Sequence, residues 1–432
     1  MEEKFFTSVV LDKELCMGCI NCIKRCPTQA IRVRDGKAEI INEFCIDCGE
    51  CIRICPHHAK LPVYDKLEVL KNYEYTVALP APSLYGQFNN LDDVNIVLTA
   101  LKKIGFDDVY EVGGAAEIVS EMTRRFVEEH PDMHPIISTA CPSVTRLIRV
   151  RFPNLIEHLL PIKPPVEVAA ELARKRAMEK TGLPAEKIGI IFLSPCPSKV
   201  TAVKSPLGSE KSNIDAVCSI QEVYMAILPA MKEVAEDPDG PEELRIAGKI
   251  GISWGTSGGE AGGVLTENYL AADGIENVIR VLEDLEDEKF SDLEFIELNA
   301  CNGGCVGGIL TVENPFVAMV KLKHLRKYMT VARSHLLDDM DVDSAYWDKK
   351  VTYEPVFKLG TDMKDSIARM ARAEELCSHF PGLDCGSCGA PTCKALAEDI
   401  VRGKAKERDC IHILRQYIHK LSDEFSKLDD LD

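Results

Sequence analysis

The chain has 432 residues, 46% hydrophobic and 28% charged, which excludes wholesale disorder and allows two to four domains of roughly 150 residues each. Lys and Arg number 51 against 69 Asp and Glu, and the resulting net charge of −18 disfavours a nucleic-acid partner. With no apolar run near the roughly 18 residues of a membrane helix and no secretory signal in Met1-Glu2-Glu3-Lys4-Phe5-Phe6, the expectation is a soluble cytoplasmic protein, in which 18 cysteines point to metal rather than disulfides.

Eight cysteines in the first 55 residues form two copies of one pattern. Cys16, Cys19, Cys22 and Cys26-Pro27 read C-x2-C-x2-C-x3-C-P, and Cys45, Cys48, Cys51 and Cys55-Pro56 repeat it 29 residues later. Three close thiolates clamp one face of an iron–sulfur cube, and the fourth crosses to the other cluster. The spacing therefore predicts one [4Fe–4S] cluster on Cys16, Cys19, Cys22 and Cys55, and another on Cys45, Cys48, Cys51 and Cys26. Structural zinc is the competing reading; the doubled spacing with both prolines argues against it. The segment resembles the two-cluster ferredoxins of bacteria, and an α+β domain is expected over residues 1–62.

Between residues 75 and 330, short apolar runs alternate with helical patterns, as in α/β architecture. Candidate strands are Tyr75–Leu79, Ile188–Leu193, Lys249–Ser253 and Phe295–Leu298. Three loops follow strand-like runs: Ser138-Thr139-Ala140-Cys141-Pro142, Ser194-Pro195-Cys196-Pro197-Ser198-Lys199 and Asn299-Ala300-Cys301-Asn302-Gly303-Gly304-Cys305. Loops at the carboxyl ends of parallel strands converge on one crevice, so the four thiolates can meet. Pro142 suits the first turn of a helix running through Arg149, whose free N–H groups face Cys141 and favour an anionic cluster. For any one cysteine, an ordinary buried thiol is the simpler reading.

Together the three loops resemble the signature loops of [FeFe]-hydrogenases. The resemblance implies an H-cluster: a [4Fe–4S] cube joined through a cysteine to a two-iron unit carrying CO, cyanide and a bridging dithiolate amine. It implies Cys141, Cys196, Cys301 and Cys305 as cube ligands, with Cys305 bridging to the two-iron unit. Lys199 matches the lysine that contacts a cyanide, and Ala81-Pro82-Ser83 matches the segment that contacts cyanide through backbone and hydroxyl. Trp254 through Gly263 resembles another glycine-rich turn of the family; it lacks the Gly-Lys-Ser/Thr ending of a phosphate loop. The expected fold is a central α/β domain over residues 63–374, with mixed sheets flanked by helices and a trailing linker.

The chain departs from active members at the proton path. The relay cysteine before Cys141 is Ala140, Met122 and Arg125 stand where the family uses glutamates, and Glu117 and Glu121 are out of register. Cofactor-flanking methionines read Ser194 and Asn299, and a glutamate of the second loop reads Ala202. The pattern resembles the sensory branch, with slow turnover and hydrogen binding retained. The competing function is an electron carrier or cluster-assembly factor without the two-iron unit.

Cys385, Cys388, Cys393 and Cys410 are spaced C-x2-C-x4-C-x16-C in a turn-rich stretch followed by a helical pattern. They resemble the four-cysteine [4Fe–4S] module of electron-transport proteins, with zinc the alternative. A small, mostly helical module is expected over residues 375–432. Four sites use 16 of the cysteines; Cys218 reads as core and Cys377 has no assigned role. In the last helix Ile411, Leu414, Ile418, Leu421, Phe425 and Leu428 form an a/d seam. Packing onto the protein's own body is the preferred reading, and a homodimer or docking helix the alternative. The partners implied are H2 and protons, a ferredoxin-like or other redox partner, and a separate signalling protein.

Overall fold

The computed structural model describes residues 6–290, 292–336, 341–356 and 358–429, apart from the side chains of residues 425–429. The chain divides into two compact units. Of the described residues, one is centred on Pro62–Tyr353 and includes Ile46–Gly49 and residues 6–8; the other comprises Val9–Cys45, Glu50–Leu61 and those from Glu354 to residue 429. Residues expected as separate ferredoxin and tail domains thus share the second unit. Among the described residues no helix is long and apolar enough to cross a membrane.

The larger unit is built on two sheets. In the first, Tyr75–Pro80 and Ile188–Ser194 are central, flanked by Asp108–Val109 and Ala216–Ser219. Side chains alternate between two apolar layers. Val77, Leu79, Ile190 and Phe192 pack on the helices Val112–Glu129 and Pro165–Thr181; Ala78, Ile191 and Leu193 pack on Val94–Lys103 and Ile220–Glu236. Helices on both faces explain why these strands are apolar throughout rather than at every second residue. The second sheet has Phe295–Asn299 between Tyr269–Asp273 and Ile136–Ile137. The expectation of mixed sheets is narrowed here, since the pairings in both sheets are parallel, as helical crossovers require.

Lys249–Ser253, expected as a strand, is a helix. A five-residue apolar run does not distinguish the two, and a distant carboxylate decides it. The buried Glu117 accepts the N–H groups of Gly248 and Gly251 at 2.7 and 3.1 Å, satisfying donors that a helix start leaves unpaired. Gly251 also lies against Gly113, where a Cβ would come within 2.2 Å of the carbonyl oxygen.

In the smaller unit the hairpin Ile31–Arg34/Lys37–Ile40 carries the tail module. Asp399, buried on the helix Cys393–Val401, accepts from Arg32 Nε at 2.6 Å and Arg34 Nη2 at 2.8 Å. The Val33 N–H donates to the Gly389 carbonyl at 2.8 Å, and a Cβ at Gly389 would lie 1.8 Å from the Val33 oxygen. With φ at +79°, glycine fits there on both counts. The preferred packing of the last-helix seam is overturned for its described part: Ile411, Leu414, Ile418 and Leu421 are 40–57% exposed. Cys410 and Ile413 face the module's core instead, which turns the seam outward. Phe425 and Leu428 lie outside the described side chains.

Candidate cofactor site

Three of the cysteine loops leave parallel strands at their carboxyl ends, though from two sheets rather than one. Cys141 follows Ile136–Ile137, Cys196 follows Ile188–Ser194, and Cys301 and Cys305 follow Phe295–Asn299. Cys141 and Cys196 each cap a helix whose first residue is proline, Pro142–Arg151 and Pro197–Lys204, and neither side chain is spent on capping. The free N–H groups of those helix starts favour negative charge at the sulfurs. Gly304, at φ +85°, lets the third loop lie against the glycine-rich turn: Ser257 donates to the Gly303 carbonyl and Val306 to that of Gly255, both at 3.0 Å.

These loops surround a cavity of about 60 Å³ lined by Ala81, Pro82, Ser83, Ala140, Lys199, Asn299 and Cys305, together with Trp254, Glu260 and Glu297. Cys141, Cys196, Cys305 and Lys199 are electrostatic neighbours. Burial pushes the Cys196 thiol up to about 12 and raises Cys305 as well, while Lys199 pulls both down. Burial works against the Lys199 ammonium, but Cys305, Cys196, Cys141 and Glu260 outweigh it and hold its pKa above the ordinary lysine range. Its one described hydrogen bond is to the Ala140 carbonyl at 3.1 Å. The Ser83 hydroxyl is fully buried and has no partner among the described residues. An ammonium and an orphaned hydroxyl in one small cavity fit an anionic, acceptor-bearing group such as a cyanide-ligated metal unit.

Other expected residues lie elsewhere. Ser194 is not among the residues lining the cavity; its hydroxyl donates to the Cys196 carbonyl at 2.9 Å and so shapes that loop. Cys301 opens the third loop, and its carbonyl accepts the Gly304 N–H at 3.1 Å. Met122 is buried in the apolar core, and Arg125 is exposed and paired with Glu121 at 2.6 Å. Cys218 is fully buried in its strand.

Two carboxylates at the cavity were not singled out by sequence. Glu260 is buried, and the Ser138 hydroxyl donates to it at 2.7 Å; the same hydroxyl accepts the Ala140 N–H at 3.2 Å. Glu297 is buried too and accepts from Gly258, Ala261 and the Asn299 amide at 2.7–3.0 Å. Burial, then the neighbouring Glu297 charge, pushes Glu260 up to about 8, and burial raises Glu297 as well. The signal was available: Glu297 occupies an inward position of the strand Phe295–Asn299, where apolar alternation predicts hydrocarbon.

In the smaller unit Cys22 has Cys16, Cys19 and Cys55 as electrostatic neighbours, the set predicted with a crossed fourth cysteine. Cys385, Cys388, Cys393 and Cys410 line one small cavity, with Cys393 at the start of its helix and Cys377 packed nearby.

A family model for the iron only hydrogenase large subunit, C-terminal domain, matches residues 74–309. A 4Fe-4S dicluster domain model matches residues 8–56, and an Fe-S cluster model matches residues 380–412. The chain is 26% identical over 359 residues to the periplasmic [Fe] hydrogenase large subunit of Nitratidesulfovibrio vulgaris, covering 69% of this chain and 85% of that protein. Iron hydrogenase 1 of Clostridium pasteurianum is 24% identical over 370 residues, 70% of this chain and 64% of that protein. The NADP-reducing hydrogenase subunit of Solidesulfovibrio fructosivorans is 21% identical over 360 residues, 70% and 58%. The chain thus spans less than two thirds of the latter two. A variant of an [FeFe]-hydrogenase from Chlamydomonas reinhardtii aligns in structure with a TM-score of 0.45 and 14% identity, covering 57% of this chain and 83% of that one.

Proposed function

The chain belongs to the iron-only hydrogenase family, and on that premise we propose that it is a slow, sensory-type [FeFe]-hydrogenase interconverting H2 with protons and electrons. Cys141, Cys196, Cys301 and Cys305 would hold the cube of an H-cluster, with Cys305 bridging to its two-iron unit. That group, when bound, supplies the metal centre and base at which H2 is made or split. The observation that carries the reading is a pair of donors, the buried Ser83, whose hydroxyl lacks a partner among the described residues, and the half-buried Lys199, both lining the cavity beside Cys305.

The slow-turnover part of the reading rests on what this chain's residues do with protons. The Ala140 methyl can neither give nor take one, and neither can the buried Met122 thioether. Glu260, protonated up to about pH 8, holds a proton at the cavity wall, with Ser138 bridging it to the Ala140 backbone. Glu297 is positioned by two backbone N–H groups and Asn299. The stand-in is the Glu260 carboxyl, held through the hydroxyl of Ser138, two residues before the usual relay position. The ferredoxin-type clusters and the tail cluster would carry electrons to a ferredoxin-like or other redox partner, and a separate protein would receive the signal.

Supplying the two-iron unit to purified, cluster-reconstituted protein tests the activity. Measurable H2 evolution from a reduced dye, well below that of a relay-intact hydrogenase assayed alongside, is expected. No evolution and no H/D exchange at any pH would reject the reading in favour of an electron carrier.

A further inference from the structure

At one position that is buried in both N-terminal repeats the residues differ in charge. Cys26-Pro27-Thr28-Gln29-Ala30-Ile31 and Cys55-Pro56-His57-His58-Ala59-Lys60 are equivalent, 29 residues apart. Their backbones agree: Gln29 and His58 both adopt left-handed φ, at +53° and +50°. The Ala30 N–H donates to Cys26 Sγ at 3.1 Å, and the Ala59 N–H donates to Cys55 Sγ at 3.3 Å. Ile31 and Lys60 therefore occupy matching sites, and each is 2% exposed.

Isoleucine suits such a site in the small apolar core, which Cys26 and Cys51 of the second cluster border. Lysine does not, because burying an ammonium without water or an acceptor is costly. The Lys60 Nζ has no hydrogen-bond partner among the described residues. Its surroundings supply charge of another kind. Lys60 and Cys22 are electrostatic neighbours, Cys16, Cys19 and Cys55 lie about the same sulfur, and the N–H of Ala59, the residue before Lys60, donates to Cys55 Sγ at 3.3 Å. A lysine so deeply buried is rarely left without a counter-charge, and here the counter-charge is the thiolate set.

We propose that Lys60 sets the reduction potential of the cluster on Cys16, Cys19, Cys22 and Cys55, making it the better electron acceptor of the two N-terminal clusters. Reduction adds one negative charge to a [4Fe–4S] cluster, and a fixed positive charge in a low-dielectric interior favours the more negative form. The four ligands of each cluster are alike, so ligand type does not separate the two potentials. The Ile31/Lys60 difference does, and it makes the Lys60 cluster the resting place of an electron. The inference rests on the reading that the eight cysteines hold two clusters.

Anaerobic redox titration of the reconstituted full-length chain, followed by electron paramagnetic resonance, tests it on wild type, Lys60→Met and Lys60→Arg. In Lys60→Met one N-terminal signal should show at least a tenfold lower ratio of reduced to oxidised cluster at a given potential, which is 59 mV for a one-electron couple. The signal that moves should be the one altered in Cys19→Ser. Other midpoints should hold, the iron content should be complete, and Lys60→Arg should restore most of the shift. Unchanged midpoints at full iron content overturn the proposal. So does loss of one cluster in Lys60→Met that Lys60→Arg restores, because Lys60 would then be a structural counter-charge. A wild type without two ferredoxin-type signals would instead remove the cluster reading itself.

Discussion

Replacing Glu260 with glutamine separates proton transfer from architecture. The amide is nearly isosteric and can keep the contact with the Ser138 hydroxyl, but it cannot pass a proton. With its pKa pushed up to about 8, Glu260 is protonated in roughly nine molecules of ten at pH 7. A positioned acid–base group is worth about 10²–10⁴-fold, or roughly 3–5 kcal/mol of barrier. Glu297 nearby leaves a detour through the second carboxyl, so the loss should sit near the lower end, about 10²-fold in H2 evolution. In wild type, evolution needs the protonated form and should fall as pH rises through 8; in Glu260→Gln that limb should vanish. The stability sign is opposite to that of a salt-bridged carboxylate. The unfolded chain ionises near the usual 4.5 while the folded chain holds the proton to about 8, so stability is lost as pH rises between these values. Glutamine removes that cost and should stabilise the cofactor-free protein by roughly 3 kcal/mol at pH 7, with no gain below pH 4. An evolution rate within twofold of wild type, with intact CO and cyanide bands, would refute the assignment of Glu260.

Ala140→Cys returns a thiol beside Ser138 and should raise turnover on the order of tenfold, below the full acid–base range because the outer positions remain Met122 and Arg125; no gain at any pH, with the bands intact, would remove proton relay from the explanation. Cys305→Ser should abolish the CO and cyanide bands while leaving both N-terminal clusters in place by iron count, and a normal set of bands would contradict the bridging assignment. Asp399→Ala strands the buried Arg32 and should destabilise the smaller unit by roughly 3–5 kcal/mol. A melting profile unchanged from wild type would show that the ion pair does not hold the tail on the hairpin.

The cysteine loops were legible because each obeys local rules. A strand-like run, a cysteine and a proline that can only begin a helix give Cys141 and Cys196 their places before any tertiary contact is known. Lys199 was singled out with the second of these loops and Ser83 through the separate segment Ala81-Pro82-Ser83, and both line the one cavity. What sequence left out depends on partners far along the chain. Lys249–Ser253 becomes a helix because Glu117 satisfies its first N–H groups from 131 residues away. The tail joins the ferredoxin hairpin because Asp399 meets Arg32 across 367 residues, a pairing that no local pattern encodes. Glu260 sits in a glycine-rich segment, folded as the helix Gly259–Val264, that reads as structural until Ser138 is brought against it from 122 residues away. The outward seam of the last helix was misjudged because two faces of one helix can look equally apolar in sequence; Cys410 and Ile413 decide which one is buried.

The central claim is that the cavity beside Cys305 is built for a cyanide-bearing two-iron unit. Infrared spectroscopy of the protein loaded with that unit tests it most directly. The account predicts a set of CO and cyanide stretches in wild type, and a shift confined mainly to one cyanide band in Ser83→Ala, where the orphaned hydroxyl is removed. Absence of CO and cyanide stretches after correct loading of wild type would contradict it.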